Sequence, residues 1–197
     1  GINFVTCLYH NRGVSLPVGF ELVRKTERYI DAKDGKEKRR SEKTKNEMYR
    51  DLLHQAVKNQ IPFTYVLNDI WFASAENMNF VKLTLQKEFV MPLKGNRKVA
   101  LSGDAKQQGR YRRVDTLKLE PMKPVTVYLE GVGFALLLLK QVFTNEDDST
   151  GIQYLVTSDT TLEGNGITTI YQKRWNVEPY HKSLKQNASL EKSPTQT

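Results

Sequence analysis

The sequence has only one cysteine, Cys7, and three histidines among its 197 residues. One cysteine excludes an internal disulfide, and one Cys with three scattered His residues excludes a zinc cluster of the usual kind. We predict that Cys7, which lies in an apolar run, is a buried thiol. The most apolar stretch, 125–143, is interrupted by Glu130, two glycines and Lys140, so it is typical of strands and not of a membrane span. With no signal peptide either, the sequence favours a cytoplasmic protein without a membrane partner.

Positive charge is abundant. There are 30 Lys and Arg residues against 22 Asp and Glu, which gives a formal net charge of +8. Such a balance favours a polyanionic partner, nucleic acid before a membrane surface, although a merely soluble basic protein explains it equally well. Apolar residues make up 39%, enough for a packed core in one domain or one domain with a large insertion. Because the chain begins inside an alternating apolar run and ends without a clear signal, we expect a fragment of a longer protein.

The first 95 residues alternate between strand and helix patterns. Apolar residues recur at helical spacing or in short β-rich runs bounded by turn residues. The dense charge run 25–45 is predicted to be a solvated loop or excursion and not a dedicated binding tail. The segment 63–93 has a strand–helix–strand pattern, which normally forms a parallel crossover. The predicted elements are a hairpin over 2–9 and 14–23, a helix over 45–59, a strand over 63–67, a helix capped by Ser74, and a strand over 89–93.

The segment 96–150 changes character and is predicted to be a β-rich insertion, with strands over 116–119, 125–129 and 134–143. Its first part, 96–124, holds eight Lys and Arg residues against three Asp and Glu. This basic part is the better candidate for contact with phosphates, although a solvated basic loop explains it too. The residues concerned are Arg110, Arg112 and Arg113.

Asp69 is distinguished by its context. It comes directly after the apolar strand 63–67. Catalytic and ligand-binding groups in open α/β sheets gather at such strand ends. A carboxylate there is free of the core and can face a metal ion.

A final strand over 154–157 and a long helix over 162–186 complete the chain. At about 100° per residue, one narrow stripe of this helix holds a carboxylate, two cations and an aromatic ring, with Lys182 beside them. A carboxylate among cations suits a site where a hard ion meets a DNA backbone. When only the geometry of the stripe is considered, a salt-bridged surface with an i,i+4 ion pair explains it better. The stripe consists of Tyr171, Arg174, Glu178 and Lys185.

The spacing Tyr171-x2-Arg174-x3-Glu178-x6-Lys185, within YQKRWNVEPYHKSLK, resembles the Y-R-E-K signature of insertion-sequence DDE transposases of the family four type. The segment NDIWFAS at 68–74 is similar to the surroundings of that family's second catalytic Asp. The resemblance covers most of the chain. It implies an RNase H-like mixed sheet with flanking helices and a β-rich insertion. The implied divisions are 1–95 and 151–197 for the two parts of the catalytic core and 96–150 for the insertion.

The resemblance also implies an activity: metal-dependent DNA cleavage at transposon ends and strand transfer into target DNA. Asp69 and Glu178 would be the second and third catalytic carboxylates, in a site for two Mg²⁺ or Mn²⁺ ions. Tyr171, Arg174 and Lys185 would contact or position the DNA end, with Lys182 beside them. The expected partners are double-stranded DNA of terminal repeats and target, and a second subunit in a synaptic dimer. The host would be a bacterial or archaeal cell.

Two features depart from the family pattern. The first catalytic Asp and its central strand are missing, so we expect an incomplete metal site and a gap in the sheet. Pro179 directly follows Glu178 and is expected to kink the helix or belong to the site. Trp71 is predicted to pack in the core beside the site. The alternatives are a truncated, inactive remnant that binds DNA non-specifically, and another RNase H-like nuclease.

Overall fold

The computed structural model describes residues 3–145 and 147–187, with side chains described through Leu184. The chain divides into two compact units. We call Gly1–Pro62 with Trp175–Thr197 the hairpin unit, and Phe63–Arg174 the sheet unit. Within the described ranges, no helix is both long and apolar enough to cross a membrane.

The hairpin unit is built on strands β1 (Phe4–Asn11) and β2 (Val14–Leu22), which pair antiparallel as predicted. The two residues between them, Arg12 and Gly13, have positive φ angles of 47° and 79°, which suits a two-residue hairpin turn. Helix α1 (Lys45–Lys58) begins at a capping box, because the Thr44 hydroxyl accepts from the Glu47 N–H and the Glu47 carboxylate accepts from the Thr44 N–H.

The charge run 25–45 is a solvated excursion, as predicted, but it is not a loop. It forms a second hairpin from β3 (Glu27–Ile30) and β4 (Glu37–Arg40). Ion pairs across the strands join Arg40 to Glu27 at 2.9 Å and Arg28 to Glu37 at 3.4 Å. These cross-strand ion pairs replace the apolar pairs by which strands are usually predicted.

The sheet unit contains one seven-stranded mixed sheet, in the order β5-β6-β11-β10-β9-β7-β8. β5 and β6 are parallel, as the crossover pattern predicts, and every other neighbouring pair is antiparallel. β5 lies at one edge of this sheet, and β1 and β2 form a separate sheet. The strands are β5 (Tyr65–Leu67), β6 (Glu88–Leu93), β7 (Lys98–Ala100), β8 (Arg112–Arg113), β9 (Val125–Leu129), β10 (Leu136–Thr144) and β11 (Thr150–Thr157). The predicted strand over 116–119 is wrong, since a 3₁₀ turn occupies Val114–Thr116.

Short helices cover this sheet. α2 (Ala75–Asn79) is capped by Ser74 as predicted and continues as a π-helix over Phe80–Thr84. α3 (Gly103–Gln107) lies between β7 and β8. α4 (Gly164–Gln172) packs Ile167 and Tyr171 into a core cluster. The sheet residues of that cluster are Val90, Leu137, Leu139 and Leu155. The fold is therefore mixed α/β with a large mixed sheet and helices, consistent with an RNase H-like domain.

The predicted single helix over 162–186 is wrong. α4 ends at Gln172, a 3₁₀ turn spans Lys173–Asn176, and α5 (Val177–Asn187) starts anew. Pro179 explains the restart, because it now lies in the first turn of α5, where backbone N–H groups have no partner within the helix. The kink expected at Pro179 is replaced by a break before it. The stripe calculated for one continuous helix therefore does not apply.

Candidate metal and DNA site

Asp69 lies where it was expected, directly after β5 in the sheet unit. Its Oδ1 accepts the Trp71 N–H at 2.8 Å, and its carbonyl accepts the Phe72 N–H at 3.2 Å. These bonds form a 3₁₀ turn over Ile70–Phe72 and hold the carboxylate at the carboxyl end of the strand. Oδ2 has no hydrogen-bond partner among the described side chains, so it is available to a ligand.

Asn68 adds a second oxygen beside Asp69. The residue is buried, at 6% exposure, and its Nδ2 donates to the Asp69 carbonyl at 3.1 Å. Its Oδ1 is buried without a hydrogen-bond partner in the described structure. An unsatisfied buried acceptor costs about 1–3 kcal/mol, and such groups in native proteins often mark a function. In the sequence, Asn68 is only the end of a strand and the first residue of NDIWFAS, because burial without a partner is a tertiary property.

Tyr171 and Arg174 lie in the same surroundings as Asp69. The buried Tyr171 hydroxyl donates to the Asn68 carbonyl at 3.4 Å, and the Arg174 guanidinium carbon lies 5.8 Å from the Tyr171 ring centroid. Burial raises the pKa of Tyr171, the nearby Asp69 charge raises it further, and Arg174 acts in the opposite direction. The structure thus brings together three predicted site residues with Asn68.

Glu178 belongs to the hairpin unit, where it lies exposed in the first turn of α5. Lys182 is exposed one turn later, whereas the side chain of Lys185 lies outside the described residues. Within this unit, His181 holds α5 against β1. Its Nε2 lies 2.7 Å from the Thr6 hydroxyl, and its ring contacts Phe4 edge-on at 5.7 Å between centroids.

The three basic residues predicted to contact phosphates, Arg110, Arg112 and Arg113, are exposed, but they are not equivalent. Arg113 forms a two-point ion pair with Asp115, with N–O distances of 3.0 and 2.5 Å, and this pair lowers the pKa of the Asp115 carboxyl. Arg110 and Arg112 form no ion pair with any residue that the structure describes. These two are therefore better able than Arg113 to accept a phosphate.

A second carboxylate, Asp159, lies at the opposite end of β5. It accepts the Tyr65 hydroxyl at 2.6 Å and both the N–H and the hydroxyl of Thr161. These bonds lower the pKa of Asp159, with the Thr161 hydroxyl contributing most, while burial and the Asp159 contact raise the pKa of Tyr65 to about 12. Because its oxygens are engaged and it lies at the other strand end, Asp159 does not join the Asp69 group.

Trp71 is not in the core, and that prediction is wrong. Its side chain is 78% exposed, because the turn fixed by Asp69 leads the chain out of the sheet directly after β5. The Lys94 ammonium lies 5.5 Å from the centre of the indole ring. An exposed aromatic beside a cation therefore adjoins Asp69.

A hard divalent ion needs oxygen ligands. Asp69 Oδ2 and Asn68 Oδ1 are oxygen ligands of the kind that Mg²⁺ and Mn²⁺ take, so the chemistry fits. Among the residues described, no group of three or more His, Cys, Asp or Glu side chains could hold an ion. The Asp69 group is thus a partial ligand set.

One family model matches the chain. The family described as the transposase DDE domain matches residues 31–197, which is most of the chain. A search of curated proteins found no match.

Proposed function

This chain belongs to the transposase DDE domain family, and from that premise we propose that it acts in metal-dependent DNA cleavage at transposon ends followed by strand transfer. The observation that carries the proposal is the Asp69 group. A carboxylate with an available oxygen, a buried amide oxygen without a partner and an arginine meet at one strand end. Family membership supports a DNA transposase in general, and the Asp69 group supports the assignment of the residues.

Metal binding is proposed for Asp69 and Glu178, as the second and third carboxylates, with Asn68 Oδ1 as an additional oxygen. A bound Mg²⁺ or Mn²⁺ ion supplies a nucleophilic hydroxide at neutral pH and stabilises the leaving oxygen. Two ions are proposed for the complete enzyme. Asp69 is already oriented by its bond to the Trp71 N–H, so ligand binding needs little reorganisation of this side chain.

DNA contacts are proposed for five cations and, conditionally, for a sixth. Arg174 is well placed to bind a phosphate near Asp69, and Tyr171, which is buried, positions Asn68 and Arg174 instead of contacting DNA directly. Lys182, Lys185, Arg110 and Arg112 would bind the DNA backbone at further points. Arg113 belongs to this set only if DNA competes with Asp115 for its guanidinium.

The finer classification is likewise a proposal. Tyr171, Arg174, Glu178 and Lys185 support an insertion-sequence transposase of the family four type, with 96–150 as the insertion between the two parts of the core, 1–95 and 151–197. The proposed substrate is double-stranded DNA of terminal repeats and target, bound by a synaptic dimer. The proposed location is the cytoplasm of a bacterial or archaeal cell.

The experiment compares strand cleavage of terminal-repeat DNA by the gene product at its full length, with Mg²⁺ or Mn²⁺. We expect Asp69→Asn and Glu178→Gln to abolish cleavage, whereas Asp159→Asn, which alters a carboxylate at the other strand end, keeps it. Cleavage that survives Asp69→Asn overturns the assignment. Salt-sensitive DNA binding without cleavage indicates the inactive remnant. Cleavage without joined products indicates a different nuclease.

A further inference from the structure

Strands β10 and β11 extend beyond their neighbours in the sheet. β9 pairs with β10 only at 136–138, and β6 pairs with β11 only at 154–157. Among the strands that the structure describes, residues 141–144 and 150–153 pair only with each other, and we call this two-stranded ribbon the arm. Such a ribbon is marginally stable in water by itself, and its outer edges offer backbone groups to a further strand.

The arm is nevertheless well defined. A side chain added at Gly151 would begin 2.3 Å from the Phe143 ring, so only glycine lets this ring pack against the opposite strand. In the turn, the Asn145 N–H donates to the Ser149 carbonyl at 2.8 Å. The Ser149 N–H and hydroxyl both donate to Asp147 Oδ1, at 3.1 and 2.6 Å. The ribbon is therefore held at its tip as well as along its strands.

The edges of the arm carry none of the usual protection against pairing. Natural edge strands often have a lysine, a proline or a bulge that prevents another chain from adding to them. The eight residues 141–144 and 150–153 include no charged residue and no proline, and their register is regular. Val142 and Ile152 lie opposite each other and are 40% and 52% exposed. An uncharged edge beside an apolar face is typical of a strand that pairs with a further strand.

The charges at the two ends of the β11 edge have opposite signs. The tip carries Asp147 and Asp148, and the bonds from Ser149 lower the pKa of Asp147, so that this carboxylate is ionised at neutral pH. At the base, β6 ends opposite Tyr154 and Lys94 follows. Lys94 forms no ion pair with any residue in the described ranges. The acidic tip disfavours DNA phosphates, whereas a second arm of the same charge pattern is complementary when it runs in the opposite direction.

We propose that the β11 edge of the arm pairs antiparallel with the same edge of a second copy of this chain, so that two arms form one four-stranded sheet. A two-fold axis at Gly151 places Thr150 of one copy opposite Ile152 of the other. The exposed apolar pairs of both copies then lie on the same face of the joined sheet.

The same register brings the charges together. Asp148 of one copy reaches the level of Tyr154 in the other, where Lys94 follows the end of β6. The antiparallel order also keeps the two acidic tips apart. The inference deepens the synaptic dimer of the proposed function by naming its contact surface, and it rests on that function for the role of the dimer.

Sedimentation equilibrium of the gene product at its full length tests the pairing. We expect Ile152→Lys to weaken dimerisation by about 10-fold or more, because lysines enter the edge at two symmetric positions and apolar contact is lost. Ile30→Lys is the matched control, since it makes the same change at an exposed isoleucine of β3 and should leave dimerisation unchanged. Thermal unfolding of both variants verifies that they fold.

A charge exchange tests the register. Lys94→Glu should weaken dimerisation by about 2- to 20-fold, because two exposed ion pairs are lost. Addition of Asp148→Lys to this variant should restore it, since the opposite charges then face each other again. Loss without restoration would overturn the register.

Chemical cross-linking locates the contact. Ile152→Cys should give covalent dimers with a short bis-maleimide, whereas Ile30→Cys should not. The unmodified chain is the blank, because burial raises the pKa of Cys7 to about 11 and leaves this thiol unreactive at neutral pH.

A gene product that stays monomeric, or an Ile152→Lys variant that dimerises as the unmodified chain does, overturns the proposal. Loss of DNA affinity in Ile152→Lys with unchanged dimerisation would overturn it in favour of DNA as the occupant. Failure of the proposed function is a separate outcome, because it appears as cleavage that survives Asp69→Asn. Asp69→Asn should dimerise normally.

Discussion

The sheet unit and the hairpin unit bury their apolar side chains to different depths. All of the largest fully buried side chains, among them Phe89, Leu139 and Leu155, lie in the sheet unit. The hairpin unit has a thinner core, in which Ala56 is 3% exposed and Leu52 is 8% exposed. Its strand β2 leaves Leu16 and Phe20 at 54% and 61% exposure.

This difference has a consequence for function. Stability within a protein is not uniform, and regions with few buried apolar contacts open first. We therefore expect the hairpin unit to open more readily than the sheet unit. Asp69 lies in the unit with the deep core, whereas Glu178 lies in the unit with the thin one. The order of Glu178 would then depend on contacts such as His181 with Thr6, and less on core burial.

The largest effect is expected from a cavity in the deep core. Leu139→Ala removes a fully buried side chain of β10 and should lower the free energy of unfolding by about 2–5 kcal/mol, because apolar contacts are lost and a cavity remains. Leu16→Ala, in the hairpin unit, is the matched control and should change it by less than about 0.5 kcal/mol. Denaturant titration measures both. Equal losses of unfolding free energy in the two variants would contradict the deeper burial of apolar side chains in the sheet unit.

A smaller effect is expected from a buried hydroxyl. Ser158 Oγ accepts the Phe89 N–H at 3.1 Å and donates to Glu88 Oε2 at 2.6 Å. Ser158→Ala should cost about 1–3 kcal/mol, because a buried N–H loses its partner. In the hairpin unit, Ser15 contacts His10 at an exposed position, and Ser15→Ala should cost far less. Urea unfolding measures the free energy of unfolding of both variants. A larger loss of this free energy for Ser15→Ala would argue against deeper burial in the sheet unit.

A substitution at the N-terminal cap of α1 affects the hairpin unit alone. Thr44→Ala removes the acceptor for the Glu47 N–H and should destabilise α1 by about 1 kcal/mol, whereas Thr44→Ser keeps the bond. Hydrogen exchange should show faster exchange across α1 with unchanged protection of β10 and β11. If protection fell equally in both units, they would open as one cooperative body and the comparison would fail.

The smallest effect concerns Cys7 on β1. Burial raises the pKa of this thiol from 9.0 to about 11, so the folded protein disfavours the thiolate. The contribution of this raised pKa to the free energy of unfolding is fully present below pH 9 and is lost as the pH rises towards 11. Alkylation of Cys7 should thus be slower in the native chain than in the denatured chain, with its rate rising at higher pH. Equal rates at pH 8 would mean that the hairpin unit is already open.

Local patterns predicted much of the fold. The helical spacing of 45–59 and the apolar run 125–129 correspond to α1 and β9, and Ser74 caps α2. The errors arose where the chain departs from apolar periodicity. β3 and β4 are joined by cross-strand charges, and the break between α4 and α5 places Pro179 in a first turn.

For the candidate site, the sequence by itself determined that Asp69 closely follows an apolar strand and that the chain resembles a DDE transposase, because both depend on short-range order along the chain. Only the tertiary structure decided that Asn68 keeps a buried oxygen without a partner, that Tyr171 is buried beside it, and that Trp71 is exposed next to Lys94. Such properties depend on which strands become neighbours, and residues distant in sequence set that pairing.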